Sequence, residues 1–174
     1  QLLAAVQQGP WGVAGLNERI AQALQRSGLI TATQGWYEGR PVLVTRNDYS
    51  LGLMNGDIGI TLAVPAGQGN KPVLRVVFPL AEGRLKYVLP ARLAATQTVF
   101  AMTVHKSQGS EFEHTALVLP DTDSPVLTRE LVYTGITRAR QWFTLLAPQP
   151  AILTSCIKRR TRRASGLGRY LNSE

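Results

Sequence analysis

Two polar segments in the second half of the chain contain the residue types best suited to chemistry. Residues 103–112 have the sequence TVHKSQGSEF, and residues 133–140 have the sequence YTGITRAR. Each follows or lies within an apolar stretch, yet hydroxyl, imidazole, ammonium and guanidinium groups offer little to a hydrophobic core. They can instead donate hydrogen bonds to phosphate oxygens. We therefore expect the two segments to form parts of one site for nucleotide and nucleic acid.

Residues 105–111 of the first segment directly follow a predicted strand over residues 99–104. In open parallel α/β sheets, ligands bind beyond the carboxyl ends of the strands. Gly109 permits a positive φ or a close backbone approach, and Glu111 can accept from ribose hydroxyls or stabilise a helix terminus. The alternative is an ordinary strand-to-helix turn with a capping carboxylate. The expected phosphate donors are Thr103, His105, Lys106 and Ser107.

The second segment is predicted to end a helix over residues 125–140. Thr134 and Arg138 would then lie one turn apart on one helix face. A planar and permanently charged guanidinium in that position suits a phosphoryl group in transfer. The alternative is a surface arginine paired with Glu130 or Asp121.

Metal ligation by this chain alone is not expected. Asp121 and Asp123 follow a predicted strand and could hold a divalent ion, as in a nuclease, but a solvated loop is the favoured interpretation. The two histidines, His105 and His114, and the single cysteine, Cys156, do not make a metal-ligand cluster. The sequence therefore predicts no metal site.

The charge of the chain indicates a polyanionic partner. Its 174 residues include 19 Lys and Arg against 11 Asp and Glu, a net charge of +8, which favours nucleic acid. Residues 158–174, called the basic tail below, contain six basic residues and one acidic residue. Two interpretations stay open for the tail: a solvated end, or a contact with nucleic acid or an acidic partner subunit.

Cellular location and completeness are also constrained. A single cysteine excludes an intrachain disulfide, so a reducing, cytoplasmic location fits. No apolar run approaches the length of a membrane-spanning helix, and we expect no membrane partner. The chain begins at Gln1 rather than methionine, and we expect a fragment of a longer protein.

Short apolar runs alternate with helical patterns in the outer parts of the chain. Predicted strands cover residues 2–6, 41–45, 99–104, 114–119 and 142–147, and predicted helices cover 15–26, 125–140 and 150–163. Asn17 is the expected N-cap of the first helix, and Ser124 or Thr128 that of the second. Such alternation predicts a parallel sheet with helices on both faces.

The middle of the chain has a different pattern. Apolar residues alternate with period two over residues 58–64, 74–78 and 85–89, with turns around 67–70 and 81–83. This is typical of half-buried antiparallel strands. The predicted fold is therefore an α/β domain into which a small β-barrel or curled sheet is inserted.

These segments resemble a known family. Residues 103–112 are similar to motif V of the superfamily I helicases, and LVYTGITRAR at 131–140 is similar to their motif VI. NGDIG at 55–59, preceded by RNDY at 46–49, resembles the entry to the β insert of the branch that moves 5′ to 3′. LAAV at residues 3–6 and GLN at residues 15–17 are similar to that branch's motif IV region. Within the branch, the chain resembles the alpha subunits of bacterial exodeoxyribonuclease V over nearly its whole length.

The resemblance implies a domain arrangement and roles for individual residues. Residues 1–52 and 98–174 would form a RecA-like second motor domain of the P-loop NTPase type, and residues 53–97 an SH3-like insert. Arg138 would be the catalytic arginine finger that reaches the γ-phosphate of ATP. Single-stranded DNA would be held by Thr103, His105, Lys106, Ser107 and Asn47, and ATP would be faced by Gln108, Gly109, Glu111 and Arg138.

Cofactors and partners follow from the same resemblance. ATP and Mg²⁺ would be held mainly by another motor domain, because no Gly-x-x-x-x-Gly-Lys-Ser/Thr loop occurs in this chain. The fragment alone would therefore be inactive. Partners would be single-stranded DNA, duplex-end DNA and the other subunits of the heterotrimer, in double-strand-break recombinational repair and DNA degradation. The alternatives are a related stand-alone or conjugative helicase, and a non-catalytic nucleic-acid-binding module.

Overall fold

The computed structural model describes residues 1–65 and 71–161. Its strands are β1 (Leu2–Ala4), β2 (Pro41–Val44), β3 (Ile58–Val64), β4 (Val73–Pro79), β5 (Leu85–Val88), β6 (Thr96–Thr98), β7 (Ala101–Thr103), β8 (Phe112–Val118) and β9 (Ala139–Leu146). Its α-helices are α1 (Val13–Arg26), α2 (Arg129–Ile136) and α3 (Pro150–Lys158). Short 3₁₀ turns cover Ala81–Gly83, Pro90–Arg92 and His105–Ser107. No helix in the described residues is long and apolar enough to cross a membrane.

The first sheet is parallel, as predicted. Its strand order is β7-β1-β8-β9, and every neighbouring pair is parallel. Leu3, Met102 and Leu117 share one row and pack in the core cluster that α2 and α3 complete. Ala4 and Val118 point to the opposite face and pack against α1. The predicted covering of both sheet faces by helices is confirmed.

The second sheet is antiparallel, with strand order β5-β4-β3-β2-β6. The prediction that the strand at residues 41–45 belongs to the parallel sheet is wrong, because β2 pairs antiparallel with β3 and β6. Val42 and Val44 face the core of this sheet, whereas Leu43 points the other way into the core of the parallel sheet. A strand buried on both faces is apolar at every position, so its sequence resembles that of a parallel strand.

The predicted strand at residues 99–104 is shorter in the structure, and a strand of the other sheet directly precedes it. Thr96–Thr98 forms β6 of the antiparallel sheet, and Ala101–Thr103 forms β7 of the parallel sheet. The buried Val99 lies at the crossing and belongs to the cluster that also contains Leu43. The two sheets therefore share one apolar core, which a run of apolar residues cannot reveal.

In β3 the larger apolar side chains face outward, contrary to the usual expectation from a period-two pattern. Ile60 is 42% exposed, whereas Thr61 is fully buried. The inward face of β3 has little room at Gly59, because a Cβ on that residue would lie 2.8 Å from the ring of the buried Phe78. The predicted turn at residues 67–70 lies outside the described residues, and the domain boundaries at 53 and 97 stay a prediction.

The helices are also displaced from their predicted bounds. Helix α1 begins at Val13 with Gly12 as its N-cap, so the prediction that Asn17 caps the helix is wrong. Gly12 is required there because a Cβ would lie 2.2 Å from the carbonyl oxygen of Gln8. Thr128 is confirmed as the N-cap of α2, since its hydroxyl oxygen accepts from the Leu131 amide at 3.3 Å.

The other two helices are shorter than predicted. Helix α2 covers Arg129–Ile136 rather than residues 125–140, and α3 ends at Lys158 rather than at residue 163. Most of the basic tail, from residue 162 onward, lies outside the described residues.

Candidate nucleotide and nucleic-acid site

The first polar segment begins where β7 ends at the carboxyl edge of the parallel sheet. The hydroxyl oxygen of Thr103 accepts from the Lys106 amide at 3.2 Å, which starts the 3₁₀ turn. Within the turn His105 and Lys106 are exposed. Two side chains predicted to bind phosphate are thus presented to solvent, and Thr103 is half-buried at the base of the turn.

Ser107 has a different position from the one expected of a DNA ligand. Its side chain is fully buried, and its hydroxyl donates to the carbonyl oxygen of Val104 at 2.7 Å. A hydroxyl that is out of reach of solvent and engaged with the backbone has no donor left for a phosphate. Ser107 therefore holds the turn that presents His105 and Lys106.

Gly109 adopts a φ of +84°, as the sequence had allowed. An added Cβ would meet no atom within 4 Å, so the backbone conformation, and not a lack of space, requires glycine. The residue redirects the chain out of the 3₁₀ turn toward Ser110 and β8.

Arg138 joins the two polar segments. Its guanidinium donates to the carbonyl oxygen of Ser110 at 3.0 Å and to that of Thr134 at 3.3 Å, and it donates to the Thr137 hydroxyl at 3.3 Å. The backbone adds a further link, because the Phe112 amide donates to the Arg138 carbonyl at 2.8 Å. The expected proximity of the two motifs is therefore present in the fold.

The environment of Arg138 differs from both sequence interpretations. Helix α2 ends at Ile136, so Arg138 lies beyond the helix and does not share a helical face with Thr134. Among the described residues, no carboxylate lies within ion-pair distance of Arg138, neither Glu130 nor Asp121 included. All three acceptors of its hydrogen bonds are neutral, so its positive charge is not compensated there.

Glu111 forms an ion pair with Arg140. The Arg140 Nε lies 3.2 Å from Glu111 Oε2, and more than half of each side chain is exposed. An exposed pair of this kind contributes little to stability. Its effect is to hold the Glu111 carboxylate beside the start of β9, two residues after Arg138.

Two clefts meet at His105 and Gln108. A cleft of about 550 Å³ lies between the turn at residues 55–57 and residues 105–110. A second, of about 360 Å³, lies between His105, Gln108 and the start of α2, where Thr161 also lines it. Asn55, Gly56 and Asp57 were not predicted as site residues, because their approach to His105 depends on the packing of the two sheets.

Asn47 lies beside the first of these clefts rather than in it. It is exposed and lines a neighbouring cleft of about 420 Å³ together with Arg46 and Tyr49. Its amide oxygen accepts from the Asn55 backbone at 2.8 Å, which fixes the turn at residues 55–57. Asn47 and His105 therefore flank the same turn.

Asp123 is engaged by an arginine of the basic tail. Arg159 donates to both carboxylate oxygens of Asp123, at 3.0 and 2.6 Å, and this side-chain hydrogen bonding lowers the pKa of Asp123 below its usual value. Within residues 1–65 and 71–161, no group of three His, Cys, Asp or Glu side chains could hold a metal ion.

Sequence comparison identifies relatives of the chain. Residues 98–146 match the family described as the UvrD-like helicase C-terminal domain. The chain is 42% identical over 173 residues to the RecBCD enzyme subunit RecD of Haemophilus influenzae, an alignment that covers 98% of this chain and 25% of that protein. It is 33% identical over 170 residues to the ATP-dependent RecD2 DNA helicase of Deinococcus radiodurans, covering 96% of this chain and 22% of the relative.

Solved structures share the fold. A Pif1 helicase from Bacteroides, in complex with ADP-AlF3 and single-stranded DNA, aligns with a TM-score of 0.56 and 15% identity, covering 100% of this chain and 46% of that chain. The Pif1 helicase of Candida albicans aligns with a TM-score of 0.54 and 14% identity, covering 100% and 50%. At this identity the likeness concerns the fold alone, and it supports a RecA-like α/β arrangement.

The match to RecD extends over almost every residue of the chain, including both polar segments joined by Arg138. The chain spans about a quarter of the length of the curated relatives that it matches. It belongs to the RecD family of helicase subunits, as a region that aligns with about a quarter of their length.

Proposed function

We propose that this chain is the second motor domain of an ATP-dependent DNA helicase subunit of the exodeoxyribonuclease V type. The observation that carries the proposal is the contact between Arg138 and the Ser110 carbonyl, which brings motifs V and VI together. In the proposed enzyme, ATP lies in a cleft between this domain and another motor domain. The higher identity to RecD than to RecD2 favours a subunit of a complex over a stand-alone helicase.

Arg138 is proposed to act as the arginine finger. Its charge is not compensated by a carboxylate in the described residues, and its three bonds go to neutral oxygens. Each such bond contributes about 1 kcal/mol net, so a γ-phosphate can compete for the guanidinium through stronger charge-assisted bonds. Arginine fingers stabilise the charge of a phosphoryl group in transfer, and they contribute roughly 10³–10⁵ in rate.

Gln108, Gly109 and Glu111 are proposed to line the nucleotide side of the cleft between the two motor domains. Gln108 and Gly109 are exposed, and the Glu111 carboxylate is held by Arg140, two residues after Arg138 in the chain. In this proposal Glu111 accepts from the ribose hydroxyls, while Gly109 lets the backbone turn toward the nucleotide. Mg²⁺ and the β-phosphate would be bound mainly by a phosphate loop of the other motor domain.

The single strand is proposed to pass over the exposed side of the 3₁₀ turn. His105 and Lys106 would contact phosphates directly, and Thr103 would support them from the strand end. Asn47 would contribute from the neighbouring 420 Å³ cleft, on the other side of the turn at residues 55–57. Ser107 is omitted from this proposal, because its hydroxyl is buried against Val104.

Residues 53–97, which contribute β3, β4 and β5 to the antiparallel sheet, are proposed to be the SH3-like insert of the family. Support comes from the antiparallel pairing of these strands and from the apolar core around Phe78. Following the resemblance to exodeoxyribonuclease V subunits, the proposed partners are single-stranded and duplex-end DNA and the other subunits of a heterotrimer. Recombinational repair of double-strand breaks and DNA degradation are the proposed processes.

The test is a pair of substitutions, Arg138→Ala and Arg138→Lys, in the intact helicase with its partner subunits. Arg138→Ala is expected to lower the rate of ATP hydrolysis by about 10³-fold or more, and unwinding with it. Arg138→Lys keeps the charge but not the planar fork, so it is expected to restore only part of the rate. Affinity for single-stranded DNA should change less than threefold.

Two outcomes would contradict the proposal. If Arg138→Ala hydrolysed ATP at nearly the wild-type rate, and its melting temperature showed that it is folded, Arg138 would not be the arginine finger. Hydrolysis by the isolated 174-residue chain, lost on Arg138→Ala, would show that the site is complete without a second motor domain.

A further inference from the structure

The 420 Å³ cleft beside the candidate site contains an aromatic ring that the fold leaves open to solvent. Tyr49 lines this cleft, and its side chain is 79% exposed. Its hydroxyl oxygen accepts from Asn47 Nδ2 at 3.2 Å, which anchors one end of the ring. An exposed ring adds little to a hydrophobic core, whereas its flat face can stack on a planar ligand. The cleft therefore presents a stacking surface.

Positive charge accompanies this ring. Arg46 also lines the cleft and is exposed, and no carboxylate of the described residues lies within ion-pair distance of it. Asp48, the carboxylate that lines the cleft, accepts from the Ser50 hydroxyl at 2.7 Å and from the Leu51 amide at 3.1 Å. The Ser50 hydrogen bond is the main cause that lowers the pKa of Asp48, and the charge of Arg92 adds to it. The carboxylate is thus engaged locally, while the charge of Arg46 is free for an anion.

The ring is adjacent to the proposed DNA path. The turn at residues 55–57 lines the 550 Å³ cleft together with His105. Asn47 fixes this turn from the other side, because it accepts from the Asn55 amide at 2.8 Å. The same Asn47 side chain donates to the Tyr49 hydroxyl. A strand that runs from His105 across the turn therefore meets Tyr49.

We propose that a nucleobase of the single strand stacks on Tyr49, and that Arg46 binds a phosphate next to that base. The inference rests on the proposed function and adds a base-binding subsite to a strand that His105 and Lys106 hold by its phosphates. An aromatic ring beside positive charge suits single-stranded nucleic acid, because every base has a π face that can stack. An acidic peptide would satisfy Arg46 but would leave the ring uncovered, so nucleic acid is favoured.

The first test compares Tyr49→Ala with Tyr49→Phe in the intact helicase and measures affinity for single-stranded DNA. Loss of one base–aromatic stacking contact weakens binding by roughly 5- to 150-fold, and Tyr49→Ala is expected to fall in that range. Tyr49→Phe keeps the ring and loses only the contact with Asn47, so it should stay within about threefold of wild type.

The matched control is Tyr87→Ala, which removes an exposed ring from the other face of the same sheet. Tyr87 is 49% exposed and pairs with Val77, whereas the buried Phe78 faces the opposite way. Val44 and Leu53 line the 420 Å³ cleft and belong to the same apolar cluster as Phe78. Because Tyr87 lies away from this cleft, Tyr87→Ala should leave DNA affinity within about twofold of wild type.

A scan with abasic nucleotides identifies the stacked base. Each DNA carries a duplex at one end, which fixes the register, and lacks the base at one position of the single strand while keeping its phosphates. With wild type, one position is expected to show the loss that Tyr49→Ala shows on the complete strand. At that position Tyr49→Ala should lose no further affinity, because the base and the ring contribute one shared contact.

The phosphate contact of Arg46 has its own measurement. Each phosphate contact on a single strand contributes about 0.7 to the slope of log K against log salt, so Arg46→Gln should reduce the slope by about that amount. Arg26 ends α1 and lines neither cleft, so Arg26→Gln is the control and should leave the slope unchanged. An unchanged slope in Arg46→Gln would show that Arg46 binds no phosphate.

The outcomes distinguish this inference from the proposed function. If Tyr49→Ala binds DNA like Tyr87→Ala while His105→Ala weakens binding, no base stacks on Tyr49 and the proposed function stands. If His105→Ala also leaves binding unchanged, the proposed DNA path is wrong. A loss in Tyr49→Ala without any sensitive abasic position would overturn the stacking. If Tyr49→Ala keeps its DNA affinity but loses a partner subunit on gel filtration, the ring is a protein contact and the inference is overturned.

Discussion

The side-chain amide of Asn17 pairs with both backbone groups of Ala101. Asn17 Nδ2 donates to the Ala101 carbonyl oxygen at 2.9 Å, and the Ala101 amide donates to Asn17 Oδ1 at 3.1 Å. Ala101 begins β7, the edge strand of the parallel sheet. A helix side chain thus takes the place of a neighbouring strand. Because β7 leads directly to Thr103 and His105, this pairing helps to position the candidate site.

Asn17→Ala is expected to lower the free energy of unfolding by about 2 kcal/mol, since two part-buried hydrogen bonds are lost. Asn17→Asp should be at least as destabilising at neutral pH, because a carboxylate cannot donate to the Ala101 carbonyl. Denaturant unfolding measures both. Gln22→Ala on the exposed face of α1 serves as the control and should stay within about 0.5 kcal/mol of wild type. Equal stability of Asn17→Ala and Gln22→Ala would show that the pairing contributes nothing.

Features that depend on neighbouring residues could be predicted from the sequence, whereas contacts between distant residues could not. The parallel sheet, the Thr128 cap and the positive φ of Gly109 depend on local chemistry, and each was predictable. Asn17 is a common capping residue, so its amide suggested a helix start. Its actual partner is 84 residues away, and no nearby residue indicates it.

Distant packing also explains the other differences in the site. Ser107 belongs to a run of phosphate-binding residue types, but Val104 takes its hydroxyl because the turn folds back on the strand end. In the sequence Arg159 is one of several charges of the basic tail, and its partner Asp123 is 36 residues away. For both Ser107 and Arg159 the residue type indicated a hydrogen-bond donor. The spacing of residues in the sequence did not indicate whether the side chain is buried or which group it contacts.

Gly109→Ala is expected to disturb the site without filling any space. A non-glycine residue in the left-handed region costs about 1–2 kcal/mol, and the position has no atom within 4 Å of an added Cβ. Gly109→Asn should be milder, because asparagine tolerates this region. Denaturant unfolding should rank stability as glycine, asparagine, alanine, and affinity for single-stranded DNA should follow the same order. A better-tolerated alanine would mean that the positive φ is not needed.

The Asp123–Arg159 pair is expected to make stability sensitive to acid. The pKa of Asp123 is lowered in the folded state, so its contribution is present above the unfolded value of about 3.9. It is lost as the pH falls through the lower folded value. Asp123→Asn should therefore flatten the fall in denaturation midpoint below about pH 4. Asp121→Asn, at an exposed neighbouring position without an ion pair in the described residues, is the control. If the denaturation midpoints of wild type and Asp123→Asn fell in parallel with pH, the ion pair would not contribute to the acid sensitivity of stability.

The Cys156 thiol is expected to react only when α3 separates from α2. The side chain is fully buried, its Sγ donates to the Thr128 carbonyl at 3.2 Å, and burial raises the pKa of the thiol. Since the thiolate is the reactive form, modification by a disulfide reagent should be slow in the native protein and immediate in denaturant. Cys156→Ala/Ile157→Cys moves the thiol to a neighbouring position that is 51% exposed, and it should react at least 100-fold faster than the native residue. Equal native rates for the two thiols would show that α3 leaves α2 readily, and the contact between Arg159 and Asp123 would then not be a stable attachment.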